Sequence, residues 1–351
     1  MAAWLRILVA VLFPMLAGLP ASAELVLPPG FTAQVYVTGH GFDGGADRGG
    51  GRGIPATATL GFDQSGALYL AKAGARFRQG EEIEDLASVY RIPAGGARLT
   101  PETESRYFHG PPLRNPQIGA VRGRGEVFVT TYDRERKTGA VYRMIDGRPV
   151  LLAGGTPPRG SPPLFKQPEG VAVDAPGNIY VADREQGLVA RLDPTGKVLD
   201  ARYLSVLRPR TLALDEKGQL WIGGDGTAET PFQDGTGQIW RASPEGTLSL
   251  LVEGPLPAGM SLGPGGSLFV AQRRTGNVFA VTAEGKRIAF ASATEDTILR
   301  ALGFAPVTPE TRRAGIAGDL FVIAVSRRVW TINEVLRISG PFDEFVRRAS
   351  P

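Results

Sequence analysis

The sequence contains no cysteine, and histidine is scarce, with two residues among 351. Without cysteine the chain forms no disulfide, carries no thiol nucleophile and offers no thiolate to a metal ion. Two histidines are too few for a site that gathers imidazoles from several parts of a chain. The formal net charge is only +4, so the sequence also lacks the basic excess typical of proteins that bind nucleic acids or membrane surfaces.

Long hydrophobic runs are missing too, apart from one near the N terminus. Residues 7–19 are apolar and uncharged, and Ala21, Ser22 and Ala23 form a small-x-small cleavage site. This pattern predicts a secretory signal peptide over residues 1–23, followed by one domain over residues 24–351. The run is shorter than the roughly 20 residues that cross a bilayer, although an uncleaved anchor is the alternative. We therefore expect a periplasmic or secreted protein with no nucleic-acid partner and no stable membrane anchor after cleavage.

What the chain does contain is glycine and proline in turns, at 47 and 28 residues. Residues 168–183 are an apolar strand, a tight turn from Asp174 to Gly177 and a second apolar strand. The same pattern recurs around the turn glycines 66, 125, 218, 266 and 318, and a third strand follows each unit. Short strands repeating every 40–50 residues or so are typical of propeller blades. The sequence therefore predicts an all-β fold, a six-bladed β-propeller with four-stranded blades over residues 54–100, 112–155, 165–206, 208–253, 256–292 and 297–338.

A propeller must also close its ring, and two segments outside the repeats are available for this. Residues 31–37 form an apolar strand that belongs to no complete unit. We expect this N-terminal strand of the mature chain to pair with the last blade as its outer strand and so close the ring. Residues 340–348 have the pattern of a short amphipathic helix that would cover an edge.

These repeats resemble a known family. The segment 168–198, PEGVAVDAPGNIYVADREQGLVARLDPTGKV, resembles an NHL repeat. Over residues 31–335 the chain resembles six-bladed propellers of the NHL and SMP-30/gluconolactonase-like superfamily. The initial segment 27–37 is similar to the start of sorbosone/glucose dehydrogenase-type propellers. The resemblance implies the fold but no single activity, because the superfamily includes binding proteins, lactonases, lyases and quinoprotein dehydrogenases.

In a propeller the first strands of all blades meet at a central channel, so residues at the start of each first strand and at the end of each second strand should line its mouth. Aligning the repeats by their turn glycines gives candidates of both kinds. The predicted ligand-binding residues are Gln117, Glu169, Arg210, Arg300, Lys72, Tyr132 and Asp183. Such a polar and net positive mouth suits a small anionic or polyhydroxylated ligand, or a protein partner. The alternative is that Glu169 and Arg210 form an ion pair between blades that only fixes geometry.

Enzymatic alternatives follow from the resemblance. It implies, for SMP-30-like lactonases, a divalent metal held by Glu and Asn/Asp oxygens, but only Glu169 fits that pattern and the ring arginines would repel a dication. Quinoprotein sugar dehydrogenases use a histidine base, for which His109 is the candidate; a surface-loop histidine is the alternative. The acidic segment 81–85, with Glu81, Glu82, Glu84 and Asp85, could bind Ca²⁺ or another divalent metal or form a solvated face.

We therefore predict a ligand- or protein-binding module with no assigned cofactor or metal. The alternative hypothesis is a lactonase-like hydrolase or a sugar dehydrogenase-like oxidoreductase with an altered site. No catalytic residue is assigned for either.

Overall fold

The computed structural model describes residues 25–42, 53–72, 86–229, 233–294, 296–326 and 332–349. The predicted signal peptide, residues 1–23, and the acidic residues 81–85 lie outside these ranges. Within the ranges, no helix is both long enough and apolar enough to cross a membrane.

The described residues form six mainly antiparallel sheets arranged as the predicted six-bladed β-propeller, and a small two-stranded sheet beside them. Blade two comprises strands Gln117–Arg122, Glu126–Asp133, Thr138–Ile145 and Arg148–Gly154. Blade three comprises Pro168–Val173, Ile179–Asp183, Leu188–Leu192 and Val198–Ser205. Blade four comprises Pro209–Leu214, Leu220–Gly224, Gly237–Ala242 and Leu248–Gly254. Blade five comprises Pro257–Leu262, Leu268–Gln272, Asn277–Val281 and Arg287–Ala293.

The ring closes between the two ends of the chain, as predicted. Blade six comprises Thr297–Phe304, Leu320–Ser326 and Ile332–Ser339, and its fourth strand is the N-terminal segment Thr32–Gly39. This closing strand runs antiparallel to the third strand, with Thr32 opposite Ser339. The insertion in the sixth repeat contains a short helix, α1, over Pro309–Arg313.

Blade one departs from the four-stranded pattern at its outer edge. Its sheet contains three strands, Thr57–Phe62, Leu68–Lys72 and Val89–Ile92. In place of a fourth strand, a single β-bridge joins Tyr90 to Phe108. The next strand, Ala97–Leu99, instead runs parallel to the closing strand of blade six. Gly96 allows this, since a Cβ at that position would lie 2.3 Å from the carbonyl oxygen of Tyr36.

The minor elements lie at the edges of the blades. They are the strands Leu25–Val26, Ile54–Pro55, Leu86–Ala87 and Leu113–Arg114, and the 3₁₀ turns Glu104–Tyr107 and Pro264–Gly266. Leu25–Val26 adds a fifth strand to blade five.

The repeated turn explains why each unit folds as a hairpin. In blade three the Asn178 backbone N–H donates to the side chain of Asp174 at 2.6 Å, and Gly177 has a φ of +98°. The aspartate caps its own turn and the glycine accepts the left-handed conformation, so the chain reverses between the first and second strands.

Small residues on the inner strands bring neighbouring blades together around the axis. A Cβ on Gly119 of blade two would lie 2.4 Å from the Cβ of Val171 in blade three. A Cβ on Gly170 of blade three would lie 2.7 Å from the carbonyl oxygen of Arg210 in blade four. Larger residues would push the inner strands apart, so these glycines allow the blades to converge on a narrow channel.

The predicted C-terminal helix is present as α2, Phe342–Ala349. Its residues Phe342 and Val346 are buried against blades five and six. The Phe342 ring lies 5.0 Å from that of Phe31 and 4.9 Å from that of Phe304, both in edge-on contact. The C-terminal helix and the segment leading into the closing strand therefore pack together over the seam where the ring closes.

Candidate anion site at the channel mouth

The start of each inner strand is irregular, and this irregularity positions the candidate side chains. In blades three and four the strand ladder skips Glu169 and Arg210, so each is the extra residue of a β-bulge. The ladders of blades one and five skip Ala58 and Ala258 in the same way. A bulge takes its residue out of the regular alternation and redirects the side chain. In blades one, three, four and five the repeat therefore presents one side chain at the mouth.

Blade two does not follow this alignment. Gln117 pairs regularly with Thr130, and the ladder skips Gly119 instead. The first turn of blade two is shorter, since Arg122 pairs directly with Glu126, whereas five residues separate the paired Val173 and Ile179 of blade three. Counting back from the turn glycine therefore places Gln117 out of register with Glu169. Gln117 is partly buried on the inner strand, but it is not the bulged residue.

Glu169 and Arg210 form the ion pair between blades three and four that the sequence offered as an alternative to ligand binding. The Arg210 Nε lies 2.9 Å from Oε2 of Glu169, and Gln167 Nε2 donates to Oε1 at 2.8 Å. The Glu169 side chain is only 5% exposed. This carboxylate is thus held in an ion pair, while its Oε2 has no hydrogen-bond partner among the described residues.

Asp225 is the second carboxylate of the mouth, and guanidinium groups from three blades surround it. Arg184 of blade three donates from Nε at 2.8 Å, Arg210 of blade four lies 3.5 Å away, and Arg273 of blade five donates from Nη2. Burial opposes the charge on Asp225, but Arg210 and Arg273 outweigh it and hold the pKa of this carboxyl below its usual value. Asp225 therefore links three consecutive blades as an ionised group.

Arg300 of blade six completes the cluster without a carboxylate of its own. Its Nη1 donates to the carbonyl oxygen of Thr57 at 3.2 Å, and among the described residues no acid lies within ion-pair distance. Burial, followed by repulsion from Arg210 and Arg273, lowers the pKa of Arg300. Arg300 lies in the irregular stretch between Leu299 and Leu302 of the inner strand of blade six, and Arg210 is the bulged residue of the inner strand of blade four.

The mouth is therefore positively charged. We define the arginine cluster as Arg184, Arg210, Arg273 and Arg300; it faces two carboxylates, Glu169 and Asp225. Two positive charges are thus in excess in a partly buried site, where electrostatic interactions are stronger than in bulk water. This arrangement can bind an anion by charge-assisted hydrogen bonds.

The other three predicted residues lie outside the arginine cluster. The carboxylate of Asp183 is fully buried and accepts the backbone N–H groups of Lys166 at 2.6 Å and Gln186 at 2.9 Å, so it holds two loops in place. The Lys72 ammonium pairs with Glu104 at 2.9 Å. Tyr132 is half-buried, and this burial raises the pKa of its hydroxyl.

Sequence reasoning missed two members of the cluster, Arg184 and Arg273. Each follows directly on the last residue of a second strand, Asp183 or Gln272. Both arginines therefore lie one position C-terminal to the residues that the repeat alignment selected. Both side chains are long enough to reach across to Asp225 of blade four.

His109 lies at the opposite end of the propeller from the arginine cluster. The Gly147 backbone N–H, in the turn between the third and fourth strands of blade two, donates to its Nε2 at 3.1 Å. Because strands alternate in direction, that turn is far from the start of the inner strands. The histidine that the sequence offered as a base for the mouth is therefore a structural acceptor elsewhere.

We expect His109 to titrate below the ordinary histidine value of about 6.5. Burial and then the charge of Arg91 lower the pKa of its imidazole, and the acceptor role of Nε2 requires the neutral ring. A pH titration of the histidine NMR signals measures this, with His109→Gln identifying the signal, as the chain has two histidines. A midpoint above 6.5 would show that the imidazole is not held as a neutral acceptor.

No three histidine, aspartate or glutamate side chains converge as a metal site in the part of the chain that the structure describes. Glu169 and Asp225 are both ion-paired with arginine. The acidic candidates Glu81, Glu82, Glu84 and Asp85 lie outside the described residues.

No protein-family model matches this sequence, and no curated protein does either. Among solved structures, the chain is similar to the PQQ-bound aldose sugar dehydrogenase of Streptomyces coelicolor, with a TM-score of 0.54 and 13% identity over 90% of this chain and 100% of that one. It is also similar to virginiamycin B lyase from Staphylococcus aureus, with a TM-score of 0.49 and 12% identity over 90% and 99% of the two chains. A gluconolactonase from Xanthomonas campestris gives a TM-score of 0.41 and 14% identity over 62% and 82%. At 13% identity the similarity to the dehydrogenase, with its TM-score of 0.54, supports the fold alone: the chain is a six-bladed β-propeller.

Proposed function

We propose that this protein is an exported β-propeller that binds a small anionic ligand at the mouth of its channel. The observation that carries the proposal is Arg300, a partly buried guanidinium that bonds only the carbonyl oxygen of Thr57 among the described groups and has no carboxylate partner among them. A protein that needed only an ion pair between blades would leave no such excess charge at the mouth. The signal-peptide pattern of residues 1–23 supports export.

The geometry favours binding over lactonase or sugar dehydrogenase chemistry. A lactonase of the kind considered needs several free oxygen donors for a dication, whereas Glu169 and Asp225 are both committed to arginines. A dehydrogenase of the kind considered needs a base at the mouth, whereas His109 lies at the opposite end. Of the described residues, His40 is the other histidine, and it follows the closing strand of blade six.

We expect isothermal titration calorimetry at low ionic strength to show saturable binding of small carboxylates or phosphates by residues 24–351. Arg300→Met should weaken this binding about 10- to 100-fold, because a hydrogen bond to a charged group contributes about 1.5–3 kcal/mol. Arg312→Met is the matched control, since it removes the same charge from an exposed position in α1.

Two outcomes would contradict the proposal. One is the absence of saturable binding by the wild type for every anion tested. The other is an equal loss of anion affinity in the Arg300 and Arg312 variants, which would show that the net charge of the protein, and not the position of Arg300, causes the loss. Melting temperatures of both variants, measured alongside, confirm that the folded protein is being compared.

A further inference from the structure

Blade five differs from its neighbours at the mouth. Its bulged residue is Ala258, which is partly buried, whereas blade four presents Arg210 and blade six presents Arg300 at this point. A methyl group thus occupies the position between two guanidinium groups. Arg273, directly after the second strand of blade five, is the third charged group, and its Nη2 donates to the carbonyl oxygen of Pro257, the neighbour of Ala258 in the sequence.

The guanidinium groups around Ala258 retain hydrogen-bonding capacity. Arg273 Nη2 donates to Asp225 and to the carbonyl oxygen of Pro257 at 3.2 Å, while its Nη1 is buried without a partner in the described structure. Burial and then the charge of Arg210 lower the pKa of Arg273. Each guanidinium offers five N–H donors, so Arg273 and Arg300 together have more donors than the protein groups around them accept.

A depression of about 310 Å³ lies between blades four and five. Its wall includes Arg273 and Gln272, together with Leu256, Pro255, Thr275 and the ion-paired Asp234 and Arg274. Arg273 therefore belongs both to this depression and to the charged position, whereas Ala258 is not part of the wall.

We propose that the sector over Ala258, between Arg210, Arg273 and Arg300, is the anion subsite, and that its ligand is a small dianion. This inference rests on the proposed function and deepens it. The arginine cluster exceeds its carboxylates by two charges, so a ligand with two negative charges neutralises it, whereas a monoanion leaves one guanidinium uncompensated. The chemistry is that of a dicarboxylate or a phosphate monoester.

The first test compares ligands on the unmodified protein at constant ionic strength. Succinate or glycerol 3-phosphate should raise the melting temperature and bind at least about tenfold more tightly than acetate, a difference of about 1.4 kcal/mol. The stronger of the first two probes identifies the dicarboxylate or the phosphate monoester. Equal affinity for acetate and for both dianions would overturn the assignment of charge while leaving anion binding itself intact.

The second test places a carboxylate in the subsite. Ala258→Glu should abolish binding of succinate and glycerol 3-phosphate, because the new side chain occupies the sector and pairs with the guanidinium groups. Ala258→Gln is the matched control: it fills the same volume without charge, and it should melt at a lower temperature than Ala258→Glu. Binding of wild-type strength by Ala258→Glu would place the subsite elsewhere, and so would a melting temperature below that of Ala258→Gln. If the wild type binds none of the probes, the proposed function itself fails.

Discussion

Replacing Asp225 with alanine should lower the free energy of unfolding by about 3–5 kcal/mol, because removal of one partner from a buried ion pair leaves uncompensated charge behind. Asp225 has no exposed surface, and Arg184 and Arg273, which are 8% and 10% exposed, both pair with it. Folded domains are stable by only about 5–15 kcal/mol, so this loss is a large fraction of the total. Urea denaturation followed by tryptophan fluorescence measures it.

Asp234→Ala is the control for this experiment. Asp234 also pairs with an arginine, Arg274, but its side chain is 94% exposed, and exposed pairs contribute little. A loss of stability in Asp225→Ala no greater than in Asp234→Ala would show that the link between blades three, four and five does not depend on this carboxylate.

The same carboxylate should make stability sensitive to acid. Although burial opposes ionisation, the arginines keep the pKa of Asp225 lower in the folded protein than in the unfolded chain. Its stabilising effect is therefore complete above the unfolded value of about 3.9 and is lost as the pH falls through the lower folded value. The difference in unfolding free energy between the wild type and Asp225→Asn should shrink over that range.

Replacing Phe342 with alanine should also cost about 3–5 kcal/mol, the usual range for a buried phenylalanine. Phe342 is 3% exposed, and its ring contacts Phe31 and Phe304 within 5.0 Å between centroids. It thus joins the C-terminal helix to the strand that closes the ring. Thermal and urea denaturation both measure the change.

Phe345→Ala on the same helix should cost less. Phe345 is only partly buried, and its ring lies farther from Phe31, at 5.8 Å. Equal stability of Phe342→Ala and the wild type would show that α2 lies on the seam without stabilising it.

The repeat could be predicted from the sequence because its turns depend on the residues within them. The Asp174-to-Gly177 turn and its counterparts use backbone conformations that few residues allow, so they mark each blade without reference to the rest of the fold. The closing strand could be predicted as well, because Thr32–Gly39 has the alternation of a strand and no partner within its own repeat.

The channel mouth could be predicted only in part from the sequence, because its geometry depends on the strand register and on the length of the arginine side chains. In blade two the ladder skips Gly119 and not Gln117, a difference in register that the repeat alignment does not reveal. Arg184 and Arg273 meet at Asp225 only through long side chains that extend between blades, and no local pattern reveals such a meeting. Blade one lost its fourth ladder strand for a similar reason, since Ala97–Leu99 pairs with a strand from a distant part of the chain.

The closing strand also sets when the molecule can finish folding. Thr32 is synthesised long before its partner Ser339, because the two residues lie in distant parts of the sequence. Pairing between such distant segments is slow, because the entropy of a long loop must be overcome first. Until the strand that contains Ser339 has been synthesised, the nascent chain carries an unpaired strand edge that favours aggregation. We therefore expect a newly made chain to depend on chaperones until its final blade is available.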